Sequence, residues 1–335
     1  MRLIVYALLM GTLAATASAH HSFNGYSAEI QEWEGEIVDL KWRNPHILFT
    51  VRSVDAAGRE ELRTMEAGSI YMFQRGGVDR EHFAVGTRVR VAARQSTRRP
   101  SDYLATNLLL PGAREILLTG SEPRFAAEEQ LGRGYWESDA RRIQATRGDG
   151  RGIFRVWSVP QVNRRAYDVN MTEAALASRE AWDPIDNFAL HCEPEGLPRV
   201  MLTPHPYEFV DAGEEIVLRL EIYDQQRIIH MNQAEAPANA PSSHMGYSVG
   251  AWDGETLVVT TTNINWPHFD NSGTPQSEAS EIVERFTVSE DETRLDYHMT
   301  VTDPYAFTEP ATVSGHMVAI GEAIELYDCQ LYPEE

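Results

Sequence analysis

Two histidines near the start of the chain form its most chemically specific feature. His20 and His21 directly follow the small residues Ala17-Ser18-Ala19, and cleavage at that point would make His20 the first residue of the mature protein. An N-terminal histidine offers its α-amine and its ring to one metal ion, and imidazole is a good ligand for Cu(II). With His46 as a further imidazole, the sequence raises the hypothesis of a copper-binding histidine brace. The alternative is an N-terminus whose histidines are incidental.

A second group of polar and aromatic residues lies in the C-terminal half, on or beside neighbouring predicted strands. We interpret it as the candidate lining of a ligand site: His205, Tyr207, Glu208, Arg227, His230, His244 and Trp252. Arg227 is one of only five basic residues in positions 181–335, so a general solubilising role is disfavoured. It either pairs with a carboxylate or anchors a ligand's carboxylate or hydroxyl group at a barrel mouth. The carboxylates considered as partners are Glu208, Glu221 and Asp224.

The segment Gly246–Gly250 matches the G-x-S-x-G motif of serine hydrolases, with Ser248 in the nucleophile position. That motif works on a sharp strand-to-helix turn, which exposes the serine. Here a turn at Asp253-Gly254 and a β-branched run follow, so we expect Ser248 in a strand and not as a nucleophile. The sequence contains no phosphate-binding loop, dinucleotide-binding glycine motif, H-E-x-x-H or C-x-x-C. Their absence disfavours nucleotide-driven chemistry, familiar zinc proteases and thiol redox enzymes.

The composition predicts a folded protein with an acidic C-terminal half. Its 335 residues, 42% of them hydrophobic, can form a sizeable core and by length indicate two domains. The formal net charge of −21 argues against a nucleic-acid partner, because phosphate recognition needs a basic face. Positions 181–335 hold five basic and 28 acidic side chains. This excess either keeps the surface solvated or favours a cationic ligand or a metal ion nearby.

The first 19 residues predict a secretory signal peptide, and hence a periplasmic or secreted protein. Arg2 is followed by an apolar run from Leu3 to Ala15 and then by small residues, which is the pattern of such a peptide. No later stretch approaches 18 apolar residues, so no transmembrane segment is expected in the mature protein. In an oxidising compartment Cys192 and Cys329 are expected to form a disulfide. Two buried free thiols are the alternative.

The strand and turn patterns predict a mainly β protein with two barrels. Residues 20–118 show three strands, a short helix and further strands, the order of an OB-like small β-barrel. Residues 119–181, rich in arginine and glycine, predict a connecting segment with a helix over Thr172–Trp182. About ten strands over residues 182–335 favour an antiparallel, up-and-down β-barrel of lipocalin-like architecture, with a two-sheet sandwich as the alternative. Among these predicted strands are Arg199–Leu202, Tyr207–Asp211, Thr256–Thr262, Arg294–Thr302 and Ala323–Tyr327.

Several short sequence motifs resemble those of a family of exported bacterial proteins of unknown function. The N-terminal ones are His-His-Ser-Phe at residues 20–23 and Asn44-Pro45-His46. Members of that family begin their mature chain with the first string and carry Asn-Pro-His after the first strand, so the resemblance covers roughly residues 20–118. The C-terminal half is similar to the second half of longer proteobacterial members, through Gly246–Gly250 and Trp252–Val259. The resemblance implies export and the two-domain layout, and it transfers no catalytic residue.

Three functions remain open from the sequence. The first is binding of a small apolar or amphipathic molecule inside the C-terminal barrel, as such barrels commonly do. The second is a cofactor-independent lyase or isomerase that uses a histidine or carboxylate base in that barrel. The third is copper binding at the N-terminal histidines. The sequence assigns neither the ligand nor an oligomeric state.

Overall fold

The computed structural model describes most of the chain after residue 25. The described ranges are 26–55, 57–97, 99–119, 122–132, 144–148, 150–159, 166–183 and 186–331. The predicted signal peptide, His20 and His21 lie outside these ranges. Within them, none of the helices has the length and apolarity that a membrane crossing requires.

The described residues of the N-terminal part form a closed sheet of five strands. Its elements are β1 (Tyr26–Lys41), β2 (Leu48–Val54), β3 (Glu60–Glu66), helix α1 (Ile70–Arg75), β4 (Arg88–Ser96) and β5 (Asp102–Leu110). The strands pair in the ring β1–β2–β3–β5–β4–β1, in which only β3 and β5 run parallel. This ring, with its helix between β3 and β4, is the predicted OB-like barrel. The sheet continues from β5 through β6 (Arg114–Leu117) and β7 (Glu129–Leu131).

Alternating side chains build the core of the N-terminal barrel. In β2, Phe49 and Val51 point inward and are buried, while Thr50 between them is not, as a period of two requires. The long strand β1 pairs with both β2 and β4, and Gly35 permits its tight crossing over β2. A Cβ at Gly35 would lie 2.4 Å from the carbonyl oxygen of Arg52, so only glycine fits there.

The described residues of the C-terminal part form a closed barrel of nine strands, which decides between the predicted barrel and the sandwich. Its strands are β8 (Val156–Ser158), β10 (Tyr207–Asp211), β11 (Glu215–Leu220), β12 (Gln225–His230), β13 (Tyr247–Asp253), β14 (Thr256–Thr262), β15 (Glu281–Val288), β16 (Arg294–Thr302) and β17 (Ala311–Ala319). Each pairs with the next, and β17 pairs back to β8. β9 (Ala166–Asp168) also pairs with β17. The other described elements are helix α2 (Glu173–Ala181) and the 3₁₀ turns Arg80–Phe83, Phe188–His191, Arg199–Leu202 and Ile222–Asp224.

One pair of neighbours in this barrel departs from the predicted antiparallel pattern. β12 and β13 run parallel, with Ile229 opposite Ser248 and His230 opposite Val249. The connection over residues 231–246 is long enough to return the chain to the same end of the barrel. A parallel pairing needs such a crossover, which a tight hairpin cannot provide.

The prediction of a strand over Arg199–Leu202 is wrong, because this segment forms a 3₁₀ turn. The amide of Val200 donates to the carbonyl oxygen of Gly196 at 2.9 Å. Val200 and Met201 are both buried, and two consecutive buried residues do not fit the alternation of a strand that has one solvated face.

The prediction of a strand over Ala323–Tyr327 is also wrong. The segment has no strand partner among the described residues. Side-chain carboxylates accept hydrogen bonds that the backbone of a neighbouring strand would otherwise accept. The amide of Glu325 donates to Glu221, and the amide of Tyr327 donates to Asp224, each at 3.1 Å. Sequence alternation shows that a segment is extended but not which acceptors its amides will find.

The predicted connecting segment supplies strands to both sheets. β7 joins the N-terminal sheet, whereas β8 and β9 join the C-terminal one. The helix predicted in this segment is α2, and the Thr172 hydroxyl caps it by accepting from the amide of Ala175 at 3.2 Å. Residues of the segment therefore close the C-terminal barrel, and the domain boundaries drawn from the sequence stay predictions.

Cys192 and Cys329 are joined by a disulfide, as predicted, and they are the two cysteines of the chain. We expect a thiol titration in denaturant to find no reactive thiol before reduction and two after it. A Cys192→Ser variant is the control, in which one thiol should react with or without reductant. Two reactive thiols before reduction would contradict the bond.

Candidate functional site

The seven residues predicted to line a ligand site do not come together. They lie in the barrel interior (Tyr207, Arg227), near its outer surface (Glu208, His230, His244), at the junction with the N-terminal barrel (His205) and at one barrel end (Trp252). Alternation along a strand separates inward from outward side chains, and these residues belong to both kinds. The structure therefore offers several smaller candidate sites.

Arg227 is fully buried and lies at the centre of a hydrogen-bond network inside the barrel. Its guanidinium donates to the hydroxyls of Ser248 (2.9 Å) and Thr261 (2.8 Å). It also donates to Oε2 of Glu284 at 2.5 Å, and Oε1 of Glu284 accepts from the Tyr297 hydroxyl at 2.9 Å. The ion-pair partner is thus a carboxylate that the sequence did not single out. Ser248 lies within β13, as expected for a chance match to the hydrolase motif.

Aromatic side chains fill much of the remaining barrel interior. Trp157, Tyr207, Phe209 and Phe286 are at most 1% exposed and belong to one continuous hydrophobic cluster. The indole of Trp157 donates to the carbonyl oxygen of Ile153 at 2.8 Å. A ligand site of this barrel is therefore expected at its ends or edges.

Two of the predicted residues form ordinary pairs near the outer surface. Glu208 accepts from Arg219 at 2.8 Å. His230 lies 3.1 Å from a Glu215 oxygen and stacks on the Tyr247 ring, with centroids 4.5 Å apart. Exposed pairs of this kind contribute little to stability and are screened by salt, and these two converge on no common ligand position.

A recess of about 620 Å³ opens at one end of the C-terminal barrel. Its lining comes from the ends of neighbouring strands and the turns beside them: Phe154, Asp211, Gly213, Ile216, Met231, Ala251 and Trp252. The Trp252 side chain is 48% exposed, which is unusual for a large aromatic residue. Of the predicted ligand residues, Trp252 is the one that lines this recess.

His46 lies beside a carboxylate and a tyrosine of the N-terminal barrel. Its Nδ1 is 2.7 Å from Oε1 of Glu66, and the Tyr26 hydroxyl donates to Oε2 at 3.1 Å. Burial lowers the pKa of His46, but the Glu66 carboxylate outweighs it and raises that pKa above the usual value. A carboxylate that orients an imidazole in this way is common behind metal-bound histidines.

The described residues alone do not assemble a metal site. Among them, no three histidine, cysteine, aspartate or glutamate side chains are grouped so that they could hold a metal ion. The copper hypothesis needs His20 and His21, which lie outside the described residues. It stays a prediction from the sequence.

Buried titratable groups meet at the junction between the two barrels. The ring of His205 contacts those of both Tyr71 and Tyr327, with centroid distances of 5.0 and 5.1 Å. Burial, together with nearby positive charges such as Arg199, lowers the pKa of His205 to about 3, so its imidazole is neutral at pH 7. Glu195 is fully buried, 3.4 Å from Arg199, and burial raises its pKa.

The sequence points to His205 but not to Glu195 as a residue of a functional site. Glutamate is common in this acidic half, and no spacing distinguishes one buried glutamate from the exposed ones. The available signal was indirect: Glu195 closely follows Cys192, so the predicted disulfide already placed it near the end of the chain. Such perturbed groups at a domain junction are candidates for function.

Comparison with known proteins finds one family model. It describes a family of unknown function, DUF6152, and matches residues 8–102, which includes β1 to β4. No match to a curated protein is found. Over its first strands, the chain is therefore similar to a protein family whose function is not known.

Proposed function

We propose that the protein binds a small amphipathic molecule with a cationic head group at the recess that ends the C-terminal barrel. The observation that carries this proposal is the exposed indole of Trp252, which lines that recess together with apolar side chains and a carboxylate. The proposal keeps the ligand class expected from the sequence and moves it from the barrel interior to the barrel end.

Apolar side chains make the recess suitable for the hydrocarbon part of such a molecule. Phe154, Ile216 and Met231 line it beside Trp252. Covering apolar surface in water contributes roughly 25 cal/mol per Å². Methionine also adapts its shape to irregular ligands. An alkyl chain or a small ring would therefore gain free energy by displacing water here.

Carboxylates favour a positive head group on that molecule. Asp211 lines the recess, and the exposed Glu214 lies in the same hairpin between β10 and β11. An ammonium or guanidinium group would gain from this negative potential. Over the face of Trp252 it would also gain a cation–π contact of about 0.5–2 kcal/mol.

The proposed place of action is the periplasm or the cell exterior. The signal-peptide pattern of residues 1–19 supports it, and the Cys192–Cys329 disulfide is consistent with an oxidising compartment.

Titration calorimetry with three eight-carbon probes tests the ligand class. Octyltrimethylammonium, octanoate and octanol share a chain and differ in head-group charge. We expect the cation to bind saturably below its micelle concentration. Octanoate should bind at least about tenfold more weakly, a difference of about 1.4 kcal/mol in binding free energy. Equal or tighter binding of octanoate would contradict a cationic head group.

Substitutions at the recess locate the site. We expect Trp252→Ala to weaken binding of octyltrimethylammonium about tenfold, because both the apolar and the cation–π contact are lost. Leu176→Ala is the matched control: it removes another exposed apolar side chain, 55% exposed, from α2 and should leave the affinity unchanged. An unchanged affinity in Trp252→Ala would rule out the recess.

A further inference from the structure

The last described stretch of the chain, residues 320–331, returns from β17 to the N-terminal barrel; we name it the C-terminal strap. It forms no regular strand and makes a single β-bridge, between Cys329 and Asn44. The side-chain amide of Asn44 donates to the carbonyl oxygen of Tyr327 at 2.5 Å. The amide of Gln330 donates to the carbonyl oxygen of Asn44 at 3.1 Å. The strap is thus bound to the N-terminal barrel at the Asn-Pro-His step.

Ionic contacts around Arg75 hold the strap between the two barrels. Arg75 of α1 donates through Nε to Glu322 of the strap at 2.7 Å. Its two terminal nitrogens each donate to Glu221 at the end of β11, at 3.1 Å. Glu221 also accepts from the strap amide of Glu325. One arginine therefore joins the N-terminal barrel, the C-terminal barrel and the strap.

The strap covers a group of polar side chains, which we name the junction chamber: the buried Glu195 and His205 and the partly buried Arg199. Tyr327 of the strap and Tyr71 of α1 both lie against the His205 ring. Oε2 of Glu195 and Nδ1 of His205 are buried without a hydrogen-bond partner among the described residues, and Oε1 of Glu195 pairs with Arg199 at 3.4 Å. Buried polar atoms in this state normally bind water, an ion or a ligand.

The disulfide fastens the strap beside this chamber. Cys329 of the strap is bonded to Cys192, three residues before Glu195. Both cysteines are only half-buried, so a small dithiol can reach them. Without the bond, the strap would be held by the packing of the buried Tyr327, by hydrogen bonds, each of which is individually weak, and by the ion pair of Glu322 with Arg75.

We propose that the C-terminal strap is a lid that controls the access of small polar solutes to the junction chamber, and that the Cys192–Cys329 disulfide is its latch. Opening by a dithiol is a two-electron exchange. The S–S bond breaks, each cysteine gains a proton and becomes a thiol, and the dithiol is oxidised to a disulfide. The opened chamber presents Glu195 and His205 to hydrogen-bonding solutes. This lid is independent of the ligand proposed at the barrel end.

Modification of His205 by diethyl pyrocarbonate, read by peptide mass spectrometry, tests the lid. The reagent attacks neutral imidazole, the form of His205 at pH 7. We expect slow modification in the disulfide-bonded protein and a rate at least about tenfold higher in Cys192→Ser/Cys329→Ser, since local opening controls the access of a reagent to buried groups. The exposed His298 is the internal standard and should react equally in both proteins.

Hydrogen exchange on the wild-type protein, before and after reduction, gives a second measurement. The amides of Glu325 and Tyr327 should exchange faster after reduction, while those of β14–β16 stay protected. Leu326→Ala is the control within the strap, because Leu326 is 85% exposed and its loss should change neither readout.

Three outcomes would overturn the lid. Rapid modification of His205 in the disulfide-bonded protein would mean that the chamber is not closed. Unchanged His205 modification and strap exchange without the bond would mean that the disulfide is not a latch. If the amides of β14–β16 lost their protection from hydrogen exchange together with those of the strap, the disulfide would stabilise the whole barrel and not the strap alone.

Discussion

Glu284→Gln is expected to lower the free energy of unfolding by about 3–5 kcal/mol, because it leaves a buried guanidinium without its counter-ion. Arg227 and Glu284 are 1% and 0% exposed, so water cannot replace the lost partner. Glutamine has nearly the same volume as glutamate. The expected loss of stability therefore comes from removing the negative charge and not from a change in packing. Urea unfolding followed by circular dichroism measures it.

A surface pair on neighbouring strands is the control for this prediction. Glu208→Gln removes the carboxylate that pairs with the exposed Arg219, and it should cost no more than about 1 kcal/mol. Replacing both members of the buried pair, as Arg227→Met/Glu284→Met, should recover part of the loss, since no unpaired charge then remains. Equal costs for Glu284→Gln and Glu208→Gln would show that Arg227 is not buried with Glu284 in solution.

Local patterns predicted many of the strands of both barrels. The sequence predicts a strand over Thr256–Thr262, and this segment is β14, in which Leu257 and Val259 point inward. Arg294–Thr302 is β16 with the same bounds. Successive side chains of these segments face the core and the solvent in turn. This alternation of apolar and polar residues is visible within a few consecutive positions of the sequence. The OB-like order followed from counting such segments around a short helix.

Pairing between distant strands could not be predicted in the same way. Arg227 and Glu284 are 57 residues apart and meet across β13 and β14, so their contact depends on the register of three strand pairs. Alternation shows which face a side chain occupies but not which residue lies opposite. The seven ligand candidates were grouped without knowledge of which strands are neighbours. For this reason only Trp252 among them lines the recess.

Trp157→Ala is expected to lower the free energy of unfolding by about 3–5 kcal/mol, the usual cost of removing a buried tryptophan. Trp157 belongs to β8, in the segment that the sequence predicts as a connection. It pairs with Tyr207 of β10 on one side and with Ala319 of β17 on the other, so its three-residue strand closes the barrel. Its side chain is fully buried, and its loss would leave a cavity at that closure.

Trp252→Ala is the control for this prediction, because it removes an indole that is not buried in the barrel core. Trp252 is 48% exposed, so its removal should cost no more than about 1 kcal/mol. Circular dichroism during urea unfolding should be used for both variants, because each removes a fluorophore. If the two substitutions cost the same, β8 does not close the barrel in solution. If Trp157→Ala alone is costly, β8 is part of the C-terminal fold, and the barrel cannot be isolated without this strand.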